Sequence, residues 1–429
     1  MLGAGIMIAG VLLGPSPSRA AGETDAADVR EELEELKARL QALEDRDRDP
    51  GESVVDEDGH KHRPHPLHSL AKTTLDGDIT MIGQTTPSLA GGSQSEGTMS
   101  VDLFFEHKVS DAGLVLLHLD VAQGHGFQSF PVFTAPNGNP TGPNNDIETF
   151  DDGQTTVHLD QAYYHHHWLD KRVEVTVGQY DPTAFFDTNA YANSERTQFI
   201  APSFGTSAVL EFGGTGNFYG FGGVFELRPI EPLTLILGVM EGDGDYQEMF
   251  TRPWSMAEID LDLDPFGREG TYRFFVWENH RHHDPAFSLV PDRRNRGVGL
   301  NFDQALTDHL GIWGRYGAQD DQVAHFDRAA SLGVEVGGGL VNRPFDAFGM
   351  AYGLTMIGDP YAAAQTSLGS PEFAANEGYL EAYYRYVLSG DGERIGAALS
   401  PDVQYVTNAG GDQSIDPIVV YGVRFQAFF

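Results

Sequence analysis

Residues 417–429, Pro-Ile-Val-Val-Tyr-Gly-Val-Arg-Phe-Gln-Ala-Phe-Phe, alternate in character with a period of two. Strand side chains point alternately to opposite faces, so Val419, Tyr421, Val423, Phe425, Ala427 and Phe429 share one face. Gly422, Arg424 and Gln426 share the other. The apolar face needs lipid or a protein core, and the polar face needs water. Two architectures meet those demands: a membrane barrel with a watery lumen, and a soluble sandwich.

The rest of the chain separates them. In Gly113–Val121, Val115, Leu117, Leu119 and Val121 oppose His118 and Asp120. In Tyr379–Leu388, Leu380, Ala382, Tyr384, Tyr386 and Leu388 oppose Glu381, Tyr383 and Arg385. In His309–Tyr316, Leu310, Ile312 and Tyr316 oppose Trp313 and Arg315. Keeping charge on one face is what lipid demands, because an Arg facing lipid near the midplane costs about 2–4 kcal/mol.

Seven short turns, at 110–113, 169–172, 228–232, 265–270, 306–309, 342–346 and 389–394, each join two strands. With a first strand near 73–84 and a last at 417–429 they make sixteen. Long Gly-, Asp- and Asn-rich loops lie between them, notably at 123–154, 181–216, 241–254, 280–296 and 357–376. A soluble sandwich has no reason to collect its long loops at one end. Eight strands would be filled by their own side chains, whereas sixteen leave an aqueous channel. The expected fold is all-β: a transmembrane antiparallel β-barrel of 16 strands over residues 72–429, preceded by a short N-terminal coiled-coil helix. Gly337, Gly338 and Gly339 are expected inside a strand.

The N-terminal region reads in three parts. An apolar run, Leu2 to Gly14, precedes Pro-Ser-Pro-Ser-Arg-Ala at 15–20, which predicts a signal peptide over 1–20 with cleavage after Ala20 or Ala21. Within 21–45, Val29, Leu33, Leu36, Leu40 and Leu43 repeat with heptad spacing, a periplasmic coiled-coil helix suited to self-association, with a homotrimer through residues 26–45 as the form expected. Residues 46–71 form an acidic, His-rich linker. His60, His62, His65 and His68 are close enough to suggest zinc or copper, but Pro64 and Pro66 break any helix that would align them. A solvated linker is the expectation there, and no metal is assigned.

Composition narrows the partners. There is no Cys, so neither disulfides nor thiolate metal sites contribute. The net charge is −36; beyond residue 20 it is 26 Lys and Arg against 63 Asp and Glu, or −37. Such a chain is no partner for nucleic acid, which needs dense Lys and Arg. Cations or small neutral solutes suit it better. No nucleophile motif, metal-ligand spacing or phosphate-cradling Gly loop stands out, so neither an enzyme nor a cofactor is expected.

Residues 178–204 follow the fifth strand as the third long loop, the place where porins commonly fold a loop into the channel. They mix Asp, Asn, Ser, Glu, Arg and Gln with Phe and Tyr. Amides and charged groups hydrogen-bond sugar hydroxyls, and aromatic faces stack on ring C–H surfaces. We expect solute contacts from Asp187, Asn189, Asn193, Glu195 and Arg196 in the loop. On the wall the expected contacts are Arg273, Trp277, Trp313, Arg315, Glu381, Tyr383 and Arg385.

The segment Phe186-Asp-Thr-Asn-Ala-Tyr-Ala-Asn193, with Gln198 and Phe199, resembles the carbohydrate-selective porins of the OprB type. Leu380–Tyr386, Ser400–Tyr405, the closing Gly422-Val-Arg-Phe and the terminal Phe429 support the likeness, which runs in order over about 72–429. It implies a sixteen-stranded barrel in the bacterial outer membrane, in contact with its lipid. It also implies facilitated diffusion of small carbohydrates, monosaccharides such as glucose, through a loop-constricted channel. Two other readings stay open: a general cation-preferring porin, suggested by the charge, and a structural barrel tethering the envelope through its N-terminal helix.

Overall fold

In the computed structural model the described residues are 54–55, 61–62, 72–89, 92–125, 133, 155–213, 219–242, 246, 251–265, 267–281, 293–390 and 396–429. The signal peptide at 1–20, the helix within 21–45 and the trimer contact at 26–45 lie outside them, as do His60, His65 and His68. In the unit preceding residue 72, Val54–Val55 and Lys61–His62 pair antiparallel.

The second unit is the barrel. Its strands are β1 Thr73–Leu89, β2 Gly92–Ser110, β3 Gly113–His125, β4 Thr156–Trp168, β5 Val173–Tyr180, β6 Gly220–Ile230, β7 Leu233–Glu241 and β8 Pro253–Leu263. They continue with β9 Gly270–Asn279, β10 Asn295–Thr307, β11 Leu310–Gln319, β12 Phe326–Gly337, β13 Ala347–Ile357, β14 Glu377–Gly390, β15 Gly396–Thr407 and β16 Ile418–Phe428. Each pairs antiparallel with its neighbours in sequence, and β16 pairs with β1 to close the sheet. Closure leaves no unpaired sheet edge, the condition for strands to cross hydrocarbon.

The faces follow the alternation. On β16, Tyr421 is 54% and Val423 45% exposed outward, while Arg424 and Gln426 are buried inward. Leu117 and His118 on β3 divide the same way, as do Tyr386 and Arg385 on β14. The packed core therefore lies inside the lumen, where water drives apolar burial, and not on the lipid side.

At the seam, Phe428 lies opposite Asp78, and the Phe429 N–H donates to the Gly77 carbonyl at 2.9 Å. A Cβ on Gly77 would sit 2.7 Å from the Asp102 carbonyl oxygen and 2.8 Å from a ring carbon of Phe429. Overpacking of this kind costs about 1–3 kcal/mol. Gly77→Val is therefore expected to lower the urea midpoint of barrel unfolding, with partial recovery when Phe429→Ala is added. A wild-type midpoint in Gly77→Val would remove this role of the seam.

All seven short turns join the strand pairs expected of them. The opposite end differs in two places. β1 runs to Leu89 and β2 begins at Gly92, and only residues 320–325 separate β11 from β12. Long loops share one end, but not every connection there is long. The expectation for 337–339 also needs correction: Gly337 ends β12, and Gly338–Val341 form a 3-10 turn that ends at Asn342 with φ 59°. The glycines serve a tight turn, because a Cβ on Gly338 would lie 2.8 Å from that of Asp346.

Candidate functional site

Residues 181–213 leave β5 and fold along the inner wall. Asp181 caps the first turn, accepting from Thr183 N at 2.8 Å. Phe186 then enters a cluster formed by Tyr180, Leu210, Phe212, Trp254, Phe275 and Trp277. Asp187 follows with φ 54°, a sharp turn that aims its carboxylate at the wall. Arg315 Nε lies 3.1 Å from Asp187 Oδ2, and Asn301 Nδ2 donates to Oδ1 at 2.7 Å. Arg315 also donates to the carbonyls of Asp187, Ala192, Phe204 and Gly205 at 2.6–3.0 Å. One guanidinium thus ties the loop's outgoing and returning arms together.

Other anchors are spread around the barrel. Glu258 on β8 accepts from Asp187 N at 2.9 Å. Glu381 on β14 accepts from Ile200 N and Ala201 N at 2.5 and 2.9 Å. Arg424 on β16 donates to the carbonyls of Glu195 and Gln198 at 2.5 and 2.8 Å. Backbone amides in a loop must find partners once buried, and inward carboxylates supply them. A second apolar cluster sets Ala192, Phe199, Ala201 and Phe204 of the loop against Trp313, Tyr379, Tyr383, Val406 and Val420 of the wall. Gly311 leaves the room that the Tyr191 ring occupies.

What the loop leaves accessible is more limited. A cavity of about 420 Å³ lies between its 188–193 stretch and the wall, lined in part by Asn189, Tyr191, Asn193, Arg273 and Asp303. A second, about 490 Å³, shares Thr188, Thr271 and Arg273 with it. Both fall within the range of small-molecule pockets, about 300–1,000 Å³. Arg273 Nη1 pairs with Asp303 at 2.6 Å, and its Nε, shielded from solvent, lies 4.0 Å from Asp260. Asn193 Oδ1 is shielded from solvent as well. Charged, amide and aromatic side chains on one cavity suit a sugar's hydroxyls and ring faces. At the loop's far tip, Arg196 reaches Asp78 at 3.3 Å and Asp102 at 2.7 Å, with Glu195 beside it at 3.6 Å.

The twelve expected contacts therefore divide. Asn189, Asn193 and Arg273 line one cavity, and Glu195 and Arg196 meet at the loop tip. Asp187, Arg315 and Glu381 are placed as loop anchors: their polar atoms join the loop to the wall, and Asp187 has no exposed surface. Trp277, Trp313 and Tyr383 are placed in the aromatic bedding beneath it, with the Tyr383 hydroxyl donating to Glu335 at 2.9 Å. Arg385 is buried near the Phe428 ring, outside both cavities. Sequence reading missed Asn301, Glu258, Asp303 and Asp78 as partners. Strand alternation already placed them inward, but nothing local said which inward residues share a level.

A model of the carbohydrate-selective porin, OprB family, matches residues 136–429. Among solved structures, OprB of Pseudomonas putida at high pH aligns with a TM-score of 0.67 at 15% identity, over 85% of this chain and 96% of that one. The outer-membrane channel DcaP of Acinetobacter baumannii aligns at 0.52 and 12% identity, over 83% and 97%. An anion-selective porin from Comamonas acidovorans aligns at 0.52 and 12%, over 83% and 99%. At such identities the likeness speaks for the fold. No curated protein matches the chain.

Proposed function

Because the chain belongs to the carbohydrate-selective porin, OprB family, we propose that this outer-membrane porin passes monosaccharides by facilitated diffusion, with weak, saturable binding below its folded-in loop. The observation that carries the reading is the 420 Å³ cavity, lined by Asn189, Tyr191, Asn193, Arg273 and Asp303. Charged donors and amide acceptors bind hydroxyls, and an aromatic face takes the ring C–H surface. Binding has to stay shallow, since a solute held tightly leaves slowly.

Hydrogen bonds to charged groups contribute about 1.5–3 kcal/mol when buried, and a wet pore reduces that. Arg273→Ala with Asn193→Ala is expected to raise the glucose concentration for half-block about tenfold. Open-channel conductance should change far less, because the loop anchors are untouched. Unchanged block in the double variant would remove these residues from the sugar path.

A second reading draws on one observation: Asp78, Asp102, Asp120 and Asp160 gather on one stretch of wall around Arg196 of the loop tip. That excess favours cations among the ions that pass, a preference reversal potentials at low salt would detect and high salt would screen. Assembly as a homotrimer through 26–45 is proposed from heptad spacing alone. Cross-linking the chain with and without 22–45 tests it.

A further inference from the structure

The acidic wall that the loop tip reaches has a feature that sugar passage does not use. Asp78 on β1 lies opposite Asp102 on β2, which lies opposite Asp120 on β3. On β4 the register slips between His118 and Leu119, leaving Asp160 as the extra residue of a bulge. The bulge lets Asp160 and Gln161, neighbours in sequence, both turn inward and be buried. Four carboxylates are thus gathered with Arg196 as the cation among them.

Within this group, Asp102, His118 and Asp160 bring ligand atoms to within 4.8 Å of one another. His118 Nε2 lies 2.7 Å from Asp102 Oδ1. The carboxylate only accepts, so that nitrogen carries the proton and Nδ1 presents its lone pair. Toward that lone pair the Gln161 amide donates over a long 3.4 Å, a contact that an ion would displace. Nδ1 lies 3.9 Å from Asp160 Oδ2, close enough for both to reach one ion at about 2.0–2.2 Å. A carboxylate fixing the far side of an imbidazole ligand is the arrangement that orients metal-binding His.

The second observation is independent of that set. Asp120 is fully buried, on the same inward face of β3 as His118 and directly across from Asp102, yet neither carboxylate oxygen has a hydrogen-bond partner among the described residues. A buried carboxylate with no donor beside two others is costly unless a cation joins it. We propose that this wall binds one divalent metal ion through His118 Nδ1 and the carboxylate of Asp160, with water completing the coordination and the unpartnered charge of Asp120 balancing the ion. Asp102 holds the imidazole and shares its charge with Arg196. The oxygen-rich set with a single nitrogen fits Mn²⁺ or a neighbouring divalent ion better than the all-nitrogen sites that favour copper.

The test uses the full chain, refolded and stripped of metal with chelator, then titrated with Mn²⁺ while free ion is read by electron paramagnetic resonance. Wild type is expected to bind one equivalent more than Asp120→Asn/Asp160→Asn, which leaves the His-rich 60–68 stretch unchanged. Each single Asn variant, and His118→Gln, should bind at that site at least tenfold more weakly. Asn keeps the shape of Asp without its charge, so the barrels should retain the folded mobility on unheated gels. A wild-type chain that binds no Mn²⁺, or a double variant that binds as well as wild type, overturns the proposal. One readout needs no variant: Mn²⁺ should reduce the cation preference of open wild-type channels, and unchanged selectivity contradicts the site. Glucose block measured without metal reports on sugar binding separately, so failure of one reading leaves the other standing.

Discussion

Arg315→Ala should release the folded-in loop and convert a narrow, sugar-sensitive channel into a wider one that glucose no longer blocks. Arg315 is 4% exposed, pairs with Asp187 and donates to four loop carbonyls. Removing one member of a buried pair costs about 3–5 kcal/mol, much of it from the charge left behind. At about 1.4 kcal/mol per factor of ten, the docked-to-released ratio falls by two to more than three orders of magnitude. Single channels should then show larger and noisier current steps, with glucose block largely lost. Arg315→Lys keeps the charge but lacks the planar fork that reaches both arms, so it should lie between. Arg315→Ala and Asp187→Ala together should cost less than the sum of the two. Wild-type conductance in Arg315→Ala would mean that the loop is held by its apolar contacts alone.

The second large effect is expected at Phe204. It is fully buried, its ring 4.8 Å from that of Tyr379 and 5.2 Å from that of Phe199. Truncating a buried Phe to Ala costs about 3–5 kcal/mol, and the wall beneath belongs to a sheet too stiff to collapse into the gap. Phe204→Ala should therefore loosen the returning arm without unfolding the barrel. The chain has no Cys, so Ser203→Cys provides a single reporter, buried while the loop is docked. Maleimide labelling should be slow in the otherwise wild-type barrel and much faster with Phe204→Ala. Equal rates would show that this aromatic bed does not hold the loop.

The barrel was legible because lipid and water impose a rule that each strand obeys by itself. Arg424, Gln426, His118 and Arg385 turn inward, and Tyr421, Val423, Leu117 and Tyr386 turn outward, as period two requires. Strand ends were less legible. β1 continues to Leu89 through polar Gln84, Thr85 and Thr86, where the alternation fades. The loop's destination was legible from its composition, but the work of its residues was not. An inward Trp such as Trp313 looks the same in sequence whether it faces solute or lies beneath Phe199 and Phe204. The Asp187–Arg315 pair joins residues 128 positions apart, and alternation fixes the face of Arg315 but not its height in the barrel. The bulge at Asp160 is invisible for the same reason: it is a mismatch between two strands and belongs to neither alone.

The central claim is a loop-narrowed pore with a shallow sugar site, and single-channel current in a planar bilayer tests it most directly. With glucose titrated on one side of the refolded wild-type protein, current should fall with concentration and saturate. Open channels whose current ignores glucose at every concentration would contradict the sugar site while leaving the barrel in place.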